Sequence, residues 1–371
     1  MLKIRNLAKA TAPVEKLDPA KIEFGKIFCP HMFLMDYRDG QWHDPHIEPL
    51  HALNVHPGAV VFQYGQSIFE GMKAFLTLDE KVVLFRPDKN AERFRASAHR
   101  MHMPIVDDSF FVEAVNRLVE SQRYYVPPRP GSLYIRPTMI GTEPCLGVRS
   151  STEFIFFIIA LPAGPYFKEV GTAGSIEILV TQSVGRASPG GTGNVKAAAN
   201  YAGTLDITAK AKTLGCDQVL FLDTVHQNLI EEFGGMNVFF VQNDVLITPP
   251  LADTILAGIT RDSVIQVAQD MGIPISEEQL EIQHVVEGIN RGDITEAIAC
   301  GTAAVVTGVR AFHFEDGTVV KLGHKSPGPI TTQLYDRLVA IQYAEYVDNH
   351  GWVHPVCDVG AVSTHAESTH L

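Results

Sequence analysis

The sequence has no long apolar segment and few cysteines. Its longest uninterrupted apolar run, at 154–161, falls far short of the roughly 20 residues that a membrane-spanning helix needs, and the first residues lead into no apolar core of the signal-peptide type. The five cysteines are scattered and none forms a Cys-x-x-Cys pair, a pattern typical of reduced thiols and not of a zinc cluster. These absences predict a globular cytoplasmic protein with no membrane partner and no metal.

An excess of positive charge is also missing. The chain has 42 acidic and 30 basic residues, which gives a formal net charge of −12, whereas nucleic acids are bound mainly through clustered lysine and arginine. We therefore expect no nucleic-acid partner. The sequence also has no repeat or low-complexity segment, and 371 residues with 46% apolar content are enough for about two domains with cores of their own.

Hydrophobic periodicity predicts that strands and helices are mixed along the whole chain, in an α/β (α+β) fold. The predicted strands lie at 22–28, 31–37, 82–85, 132–137, 154–161, 176–182, 218–223, 237–242 and 245–248. The predicted helices lie at 88–101, 108–124, 197–214 and 260–271. Asp39-Gly40 favours a hairpin turn after the second strand.

A break in this periodicity predicts two domains. The segment 162–167 contains two prolines and a glycine and interrupts the pattern. We predict a small N-terminal domain over 1–163, an interdomain loop over 164–174 and a larger C-terminal domain over 175–371.

Lys196 is the most informative residue. It lies in a run of small residues at 188–203, so that a bulky planar group could approach its amine, and no adjacent side chain carries a charge to pair with it. A desolvated amine without a carboxylate partner loses its proton more readily, and a neutral amine can form a Schiff base with an aldehyde. A glycine-rich loop with one solvated lysine is an equally good interpretation of this segment alone.

Two other segments are typical of anion sites. The segment 257–262 begins the helix predicted at 260–271, with Thr260 at a cap position and Gly258 leaving the backbone accessible, and free N–H groups at a helix start attract a phosphate. The small-residue turn at 301–304, in the segment 294–309, is a second candidate. An ordinary capped helix remains the simpler interpretation of the first segment by itself.

Other charged residues are ambiguous on their own. An arginine such as Arg93 on a predicted helix is usually exposed, and an acidic pair such as Glu231-Glu232 is usually solvated. The apolar residues at 229–230 and Phe233 favour a buried position for the acidic pair.

Five ordered segments together resemble the branched-chain aminotransferases, pyridoxal phosphate enzymes of fold type IV. They are YGQSIFEGMK at 64–73, YIRPTMIGTEP at 134–144, GNVK at 193–196, EEFGGMN at 231–237 and GITRDS at 258–263. The resemblance extends from about residue 22 to residue 352. It implies a ping-pong transfer of an amino group between L-leucine, L-isoleucine or L-valine and 2-oxoglutarate.

The resemblance also implies pyridoxal 5′-phosphate as cofactor. Lys196 would form a Schiff base with it and then move the proton at the substrate α-carbon. Glu232 would keep the pyridine nitrogen protonated, and Tyr201 would hydrogen-bond the phenolic oxygen. The phosphate would be bound by a guanidinium, a helix start and a hydroxyl, which belong to Arg93, Ile259, Thr260 and Thr302.

For the substrates, the resemblance implies a pocket with apolar walls and a polar end. The walls would be formed by Phe24, Phe69, Tyr134 and Ala303, together with Leu146 and Val148 from a second copy of the chain. Tyr64, also from the second copy, and Arg136 would bind the γ-carboxylate of glutamate, and the backbone of Thr302 and Ala303 would bind the α-carboxylate. The smallest active unit would then be a homodimer with shared loops.

Three positions depart from the family pattern, which otherwise is typical of bacterial members. Animal members carry a redox Cys-x-x-Cys where this chain has Ala304 and Thr307, so no thiol regulation of that type is expected. Gly235 stands where some relatives have a threonine near the cofactor, which puts that contact in doubt.

Two alternatives remain open. D-amino-acid aminotransferases and aminodeoxychorismate lyases share the lysine and the glutamate, although they are usually shorter and lack the segment seen at 134–137. A nucleotide-binding protein with a phosphate loop at 188–196 would be of a different class. That loop lacks the Gly-Lys-Ser/Thr ending, and no predicted strand leads directly into it.

Overall fold

Two large β-sheets organise the chain. The structure is a computed structural model that describes residues 2–8, 11, 13, 17–166, 173–323 and 326–360. Within these ranges each sheet has nine strands, and helices pack on both, which confirms the mixed α/β class. Residues 167–172 of the predicted interdomain loop and residues 361–371 lie outside the described residues.

Eight of the nine strands of the first sheet lie in the first 163 residues. They are β1 (Arg5–Asn6), β2 (His31–Arg38), β3 (Gln41–Pro49), β4 (Ser67–Phe69), β5 (Met72–Leu76), β6 (Lys81–Phe85), β7 (Ser132–Gly141) and β8 (Phe154–Ala163). Their order is β1-β3-β2-β8-β7-β5-β6, and β4 pairs with β7. Asp39 and Gly40 form the predicted turn between β2 and β3 with φ of 53° and 77°, as a two-residue hairpin requires.

Three helices lie among these strands. They are α1 (Val60–Tyr64), α2 (Pro87–Arg100) and α3 (Asp108–Ser121), and short 3₁₀ helices occur at Pro19–Lys21 and Arg123–Tyr125. The Asp107 side chain accepts hydrogen bonds from the first N–H groups of α3, which caps that helix. Phe94 of α2 and Phe111 of α3 bury their rings against Phe156 of β8 at centroid distances of 5.3 and 5.9 Å. The predicted helices 88–101 and 108–124 are therefore confirmed within a few residues.

The strand predicted at 22–28 is wrong. The segment is a turn, in which the N–H of Lys26 donates to the carbonyl of Glu23 at 3.4 Å and Gly25 has φ of 81°. A positive φ is unavailable to an ordinary strand residue and is accessible to glycine. The turn brings the Phe24 ring to 5.0 Å from the Tyr134 ring.

The second sheet is formed by strands between residues 175 and 321. Its strands are β9 (Ser175–Thr181), β10 (Gln218–Leu222), β11 (Ile230–Phe233), β12 (Asn237–Gln242), β13 (Val245–Thr248), β14 (Ile275–Glu277), β15 (Ile294–Gly301), β16 (Val305–Phe314) and β17 (Val319–Lys321). Their order is β11-β10-β9-β16-β15-β12-β13-β14, and β17 pairs with β16. Its central strands are apolar over nearly their whole length because both of their faces are covered. The predicted hairpin of 237–242 and 245–248 is confirmed as β12 and β13.

Five helices accompany the second sheet. They are α4 (Ala199–Ala202), α5 (Leu205–Thr213), α6 (Ile259–Asp270), α7 (Ile282–Arg291) and α8 (Pro329–Gln342). The single helix predicted at 197–214 is wrong in its continuity, because the Thr204 hydroxyl donates to the carbonyl of Tyr201 at 3.0 Å and interrupts the backbone ladder between α4 and α5. No helix in the described ranges is long and apolar enough to cross a membrane.

The two sheets share an apolar core. Phe75 and Phe85 of the first sheet pack in one buried cluster with Phe239 and Ile298 of the second sheet and Leu334 of α8. The last strand, β18 (Val353–Asp358), then returns to the first sheet and pairs antiparallel with β6. The chain therefore crosses between the sheets twice, and the predicted domain boundaries stay a prediction.

Candidate active site

A cavity of about 540 Å³ is lined by residues of both sheets. Most of the side chains predicted from the sequence meet there, although they come from distant parts of the chain. Those that line the cavity are Phe24, Phe69, Arg93, Tyr134, Arg136, Lys196, Tyr201, Glu232, Ile259, Thr260, Thr302 and Ala303.

Lys196 is held against the edge of the first sheet by its backbone. Its N–H donates to the Ser97 hydroxyl at 3.0 Å, and its carbonyl accepts from the N–H of Phe69 at 3.1 Å. Its Nζ donates to the Tyr201 hydroxyl at 3.1 Å and lies 4.8 Å from the centre of the Phe69 ring. The main chain is thus fixed while the amine is directed into the cavity between two aromatic rings.

Glu232 lies on β11 with 3% of its side chain exposed. Its carboxylate accepts two hydrogen bonds, from the N–H of Leu256 at 3.1 Å and from the Asn237 amide at 3.0 Å, and it forms an ion pair with Arg186, whose Nη2 lies 2.8 Å from Oε1. Burial raises the pKa of Glu232, and the Arg186 guanidinium opposes this rise. The arrangement places a carboxylate at the cavity wall that two hydrogen bonds and one ion pair hold in position.

Arg186 and Asn237 are functional candidates that the sequence interpretation missed. Asn237 is the last residue of the motif at 231–237, so the motif itself contained the signal. Arg186 lies in the irregular segment between β9 and α4, and no pattern around it pointed to a partner.

Arg93 extends from α2 to the cavity, and the buried carboxylate of Glu70 holds its guanidinium in position. Its Nε and Nη2 donate to Glu70 at 2.7 and 2.9 Å, and its Nη1 donates to the carbonyl of Ala257 at 3.0 Å. Glu70 is fully buried; burial alone would raise its pKa, but Arg93 outweighs this effect and the pKa is lowered. A guanidinium has five N–H groups, so two remain for a ligand. Glu70, within the motif at 64–73, was also missed.

The start of α6 supplies further N–H donors. The helix begins at Ile259 and its cap is Gly258, which offers no side-chain hydrogen bond, so the cap position predicted for Thr260 is wrong by two residues. The N–H groups of the first turn have no partner within a helix, and an anion is favoured there. A Cβ at Gly258 would lie 1.9 Å from the Asn237 Oδ1, so glycine is required for this close approach.

A tight turn at 302–304 connects β15 and β16 at the cavity wall. No acceptor for the N–H groups of Thr302 and Ala303 is found among the described residues. Two adjacent donors without partners are suited to binding an anionic oxygen.

Arg136 and Tyr134 form the polar part of the wall supplied by β7. Arg136 Nη2 donates to the Tyr134 hydroxyl at 2.8 Å, and its guanidinium lies 4.5 Å from the centre of the Phe69 ring. Its Nε is buried and has no partner in the described part of the chain. The guanidinium therefore keeps donors available beside the aromatic walls, which is suited to a ligand with both an apolar part and a carboxylate.

Tyr64, Leu146 and Val148 do not line this cavity. Their relative exposures are 42%, 70% and 87%, and the Tyr64 hydroxyl donates to the carbonyl of Leu146. The loop that carries Leu146 and Val148 is also held by an ion pair. Arg149 Nη1 and Nη2 donate to Glu143 Oε2 and Oε1 at 2.9 and 2.5 Å. The chain thus presents a fixed apolar loop on its surface.

The positions that depart from the family pattern also lie at or near the site. Gly235 lines the cavity, and no atom lies within 4 Å of a Cβ built there. At the positions of the animal cysteines, the Thr307 hydroxyl donates to the carbonyl of Ala304 at 3.4 Å.

Comparisons with known proteins show what the chain is similar to. The model of the family described as "Amino-transferase class IV" matches residues 67–312. The branched-chain-amino-acid transaminase 1 of Bacillus subtilis is 42% identical over 91% of this chain and 95% of its own length. The branched-chain-amino-acid aminotransferase of Mycolicibacterium smegmatis is 41% identical over 94% of this chain and 96% of its own.

A solved structure gives the same result for the fold. The branched-chain amino acid aminotransferase of Escherichia coli superposes with a TM-score of 0.73 and 26% identity, over 87% of this chain and 99% of its own.

Proposed function

Because the chain belongs to the class IV aminotransferases, and within them to the branched-chain-amino-acid aminotransferases, we propose that the cavity around Lys196 is its active site. The chain is a pyridoxal phosphate-dependent transaminase of branched-chain amino acids. The proposed reaction transfers an amino group between L-leucine, L-isoleucine or L-valine and 2-oxoglutarate. The observation that supports this site best is the meeting of the Lys196 amine, the buried Glu232 carboxylate and the free N–H groups of α6 in one cavity.

The residues present fit pyridoxal 5′-phosphate. A phosphate would be bound by Arg93, by the N–H groups of Ile259 and Thr260, and by the Thr302 hydroxyl. Lys196 would hold the aldehyde carbon, and Glu232 would face the ring nitrogen. When bound, the cofactor supplies a ring that accepts the electron pair released at the substrate α-carbon.

Lys196 has two functions in this proposal. Its amine is the covalent anchor, and once released it is the base that takes the α-proton and the acid that returns it. The Tyr201 hydroxyl, at 3.1 Å from the amine, keeps the side chain directed into the cavity between these steps. The fixed backbone bonds of Lys196 limit its motion to the side chain.

Glu232 contributes a negative charge when it is ionised. Burial raises its pKa to about 7, and the Arg186 guanidinium and the Leu256 N–H group oppose this rise, so that a substantial fraction of the carboxylate is ionised at neutral pH. The ionised form in turn favours a proton on the ring nitrogen, which the electron-accepting role requires.

The substrate side combines the aromatic walls with two sets of carboxylate donors. The α-carboxylate would lie on the turn at 302–304, and the γ-carboxylate of glutamate would meet Arg136. The aliphatic side chain of a branched-chain substrate would occupy the space beside Phe24, Phe69 and Tyr134.

We further propose a homodimer in which Tyr64, Leu146 and Val148 of each chain complete the cavity of the other. Two large apolar side chains that are 70% and 87% exposed, on a loop fixed by hydrogen bonds, are typical of an interface. A two-fold dimer buries the same surface on both chains. We also propose a cytoplasmic location, which the five free cysteines support.

A substrate panel tests the proposed reaction. The purified protein, loaded with pyridoxal 5′-phosphate, is incubated with 2-oxoglutarate and L-leucine, L-isoleucine, L-valine or D-alanine, and the glutamate formed is measured. We expect turnover of the three L-amino acids and little of D-alanine. Preference for D-alanine would contradict the substrate assignment, and failure to acquire the cofactor's absorbance would contradict the site.

A further inference from the structure

Lys73 is a buried lysine outside the set of residues assigned above. It lies on β5 of the first sheet, and its Nζ donates to the carbonyl of Ala303 at 2.8 Å, across 230 positions of the sequence. Ala303 belongs to the turn at 302–304, whose N–H groups we assign to the substrate α-carboxylate. One side chain of the first sheet therefore holds a binding turn of the second sheet.

The ammonium lies behind this turn. Ala303 lines both the main cavity and a smaller cavity of about 60 Å³, whereas Lys73 lines only the smaller one. No aspartate or glutamate is among the described residues that line the smaller cavity. The positive charge of Lys73 consequently has no counter-charge at close range and can act on an anion in front of the turn.

The turn carries backbone strain that its surroundings must hold. Val305, directly after the turn, has φ of 63°, a region that β-branched residues rarely adopt. A charge-assisted hydrogen bond to the Ala303 carbonyl is stronger than a neutral one. It fixes the Ala303–Ala304 peptide, which directly follows the two peptides that carry the free N–H groups of Thr302 and Ala303, and so limits the reorientation of these donors when a ligand arrives.

We propose that Lys73 is a positioning residue for the substrate α-carboxylate, fixing the turn at 302–304 and adding positive charge behind it. This inference rests on the proposed function, because it takes the carboxylate of an amino acid or 2-oxo acid as the ligand. A lysine that only stabilised the fold would affect charged and neutral ligands equally.

A pair of ligands separates these two roles. The first is 4-methylvaleric acid, which has the carbon skeleton and carboxylate of leucine without the amino group, and the second is its neutral amide. Neither can be transaminated, so the dissociation constants of both are measured by titration calorimetry on the cofactor-loaded protein without turnover.

Three substitutions at Lys73 separate charge, hydrogen bond and shape. Lys73→Met removes charge and donor, Lys73→Gln keeps a neutral donor, and Lys73→Arg keeps the charge. We expect Lys73→Met to weaken binding of the acid about 10- to 100-fold, Lys73→Gln to weaken it less, and Lys73→Arg to restore most of the affinity. Binding of the amide should change by less than about threefold in each variant. If Lys73→Met does not fold, Lys73→Gln serves for the same comparison.

The matched control is Lys81→Met on the neighbouring strand β6, whose exposed ammonium pairs with Asp79 at 2.7 Å; it should bind both ligands as the unaltered protein does. Equal weakening for acid and amide in Lys73→Met, or no weakening for either, would overturn the inference. Failure of the unaltered protein to bind 4-methylvaleric acid would instead count against the proposed function, so the two failures are distinguishable.

Discussion

Arg186 and Glu232 form a buried ion pair at the wall of the cavity. Arg186 Nη2 lies 2.8 Å from Glu232 Oε1, and the two side chains are 5% and 3% exposed. The same guanidinium donates to the carbonyls of Thr254 and Gly193 at 3.1 and 3.2 Å. Because Gly193 shortly precedes Lys196, Arg186 connects the carboxylate to the segment that carries the reactive amine.

Replacing Arg186 tests this connection. Arg186→Met leaves a buried carboxylate without its charged partner, which costs roughly 3–5 kcal/mol of unfolding free energy. The pKa of Glu232, already raised by burial, should rise further because the opposing charge is gone. A larger fraction of Glu232 is then protonated at neutral pH, and kcat should fall but recover partly as the pH is raised and the carboxylate ionises.

The measurements are thermal unfolding and a pH profile of kcat. Arg291→Met is the control, because Arg291 is 51% exposed and pairs with Asp293 on the surface; we expect little change in either quantity. A flat ratio of variant to unaltered kcat across the pH range would show that Arg186 does not act through the ionisation of Glu232.

Lys196→Ala should abolish transamination. The substitution removes both the covalent anchor and the group that moves the α-proton, and general acid–base catalysis alone contributes about 10²- to 10⁴-fold. Turnover of L-leucine and the absorbance of the bound cofactor are measured. Lys212→Ala, at an exposed position of α5, is the control and should keep full activity; undiminished turnover in Lys196→Ala would remove the proposed mechanism.

Gly258→Ala should weaken cofactor binding. The added Cβ would lie 1.9 Å from the Asn237 Oδ1, so Asn237 must move, and it then no longer holds Glu232 and the Leu256 carbonyl at 3.0 Å. We expect the dissociation constant of pyridoxal 5′-phosphate to rise at least about tenfold, because one charge-assisted hydrogen bond is worth roughly 1.5–3 kcal/mol.

The control for this substitution is Gly203→Ala. No atom lies within 4 Å of a Cβ built at Gly203, and its φ of −64° suits alanine. Equal cofactor affinity in Gly258→Ala and Gly203→Ala would show that the packing of Gly258 against Asn237 does not matter for the site.

Mixing two inactive variants tests the shared active site. Lys196→Ala lacks the amine but has an intact surface loop, whereas Tyr64→Ala combined with Leu146→Asp has the amine but an altered loop. If loops are exchanged in a homodimer, the mixed dimer has one complete site. After unfolding and refolding of an equal mixture, we expect about a quarter of the unaltered activity.

Refolding each variant alone is the control and should restore no such activity. If the loop acts within its own chain, the mixture will be no more active than the two separate variants. Sedimentation velocity of the unaltered protein measures the dimer independently.

The pH dependence of carboxylate binding gives a second check on Lys73. Burial lowers its pKa to about 8, so the ammonium is present below pH 8 and is lost above it. The ionisable groups around it come from several elements and are Arg129, Tyr134, Tyr166, Tyr335 and Tyr343. Burial raises the pKa of Tyr166, Tyr335 and Tyr343, so these three remain neutral near pH 8.

A bound carboxylate favours the ammonium form, and binding above pH 8 must therefore take up a proton. The affinity for 4-methylvaleric acid, divided by that of Lys73→Gln at the same pH, should fall as the pH rises from 7 to 10. Groups that titrate in both proteins change both affinities alike, so their effect cancels in this ratio. A constant ratio over this range would contradict the inferred role of the charge.

Much of the fold could be predicted because its signals are local. The continuous apolar runs of β8, β12 and β13 and the apolar face of α2 reflect the burial of each element in a core. The apolar pattern gave a wrong strand where the backbone conformation of one residue prevented an extended segment. The apolar residues of 22–28 match a strand, but Gly25 adopts φ of 81° and the chain turns.

The sequence by itself determined the family and the chemical groups of the site. Lys196, Glu232 and the start of α6 each lie in a short motif, because a reactive amine, a buried carboxylate and free N–H groups need particular neighbours along the chain. Only the tertiary structure decided which other side chains act on them. Arg186 lies in a segment without a motif, and Lys73 ends the motif at 64–73 without any local sign of its partner. They contact their partners, Glu232 and the Ala303 carbonyl, through the packing of one segment of the chain against another. A buried charge needs a partner that is close in space. Because that partner can lie anywhere along the sequence, the sequence alone does not identify it.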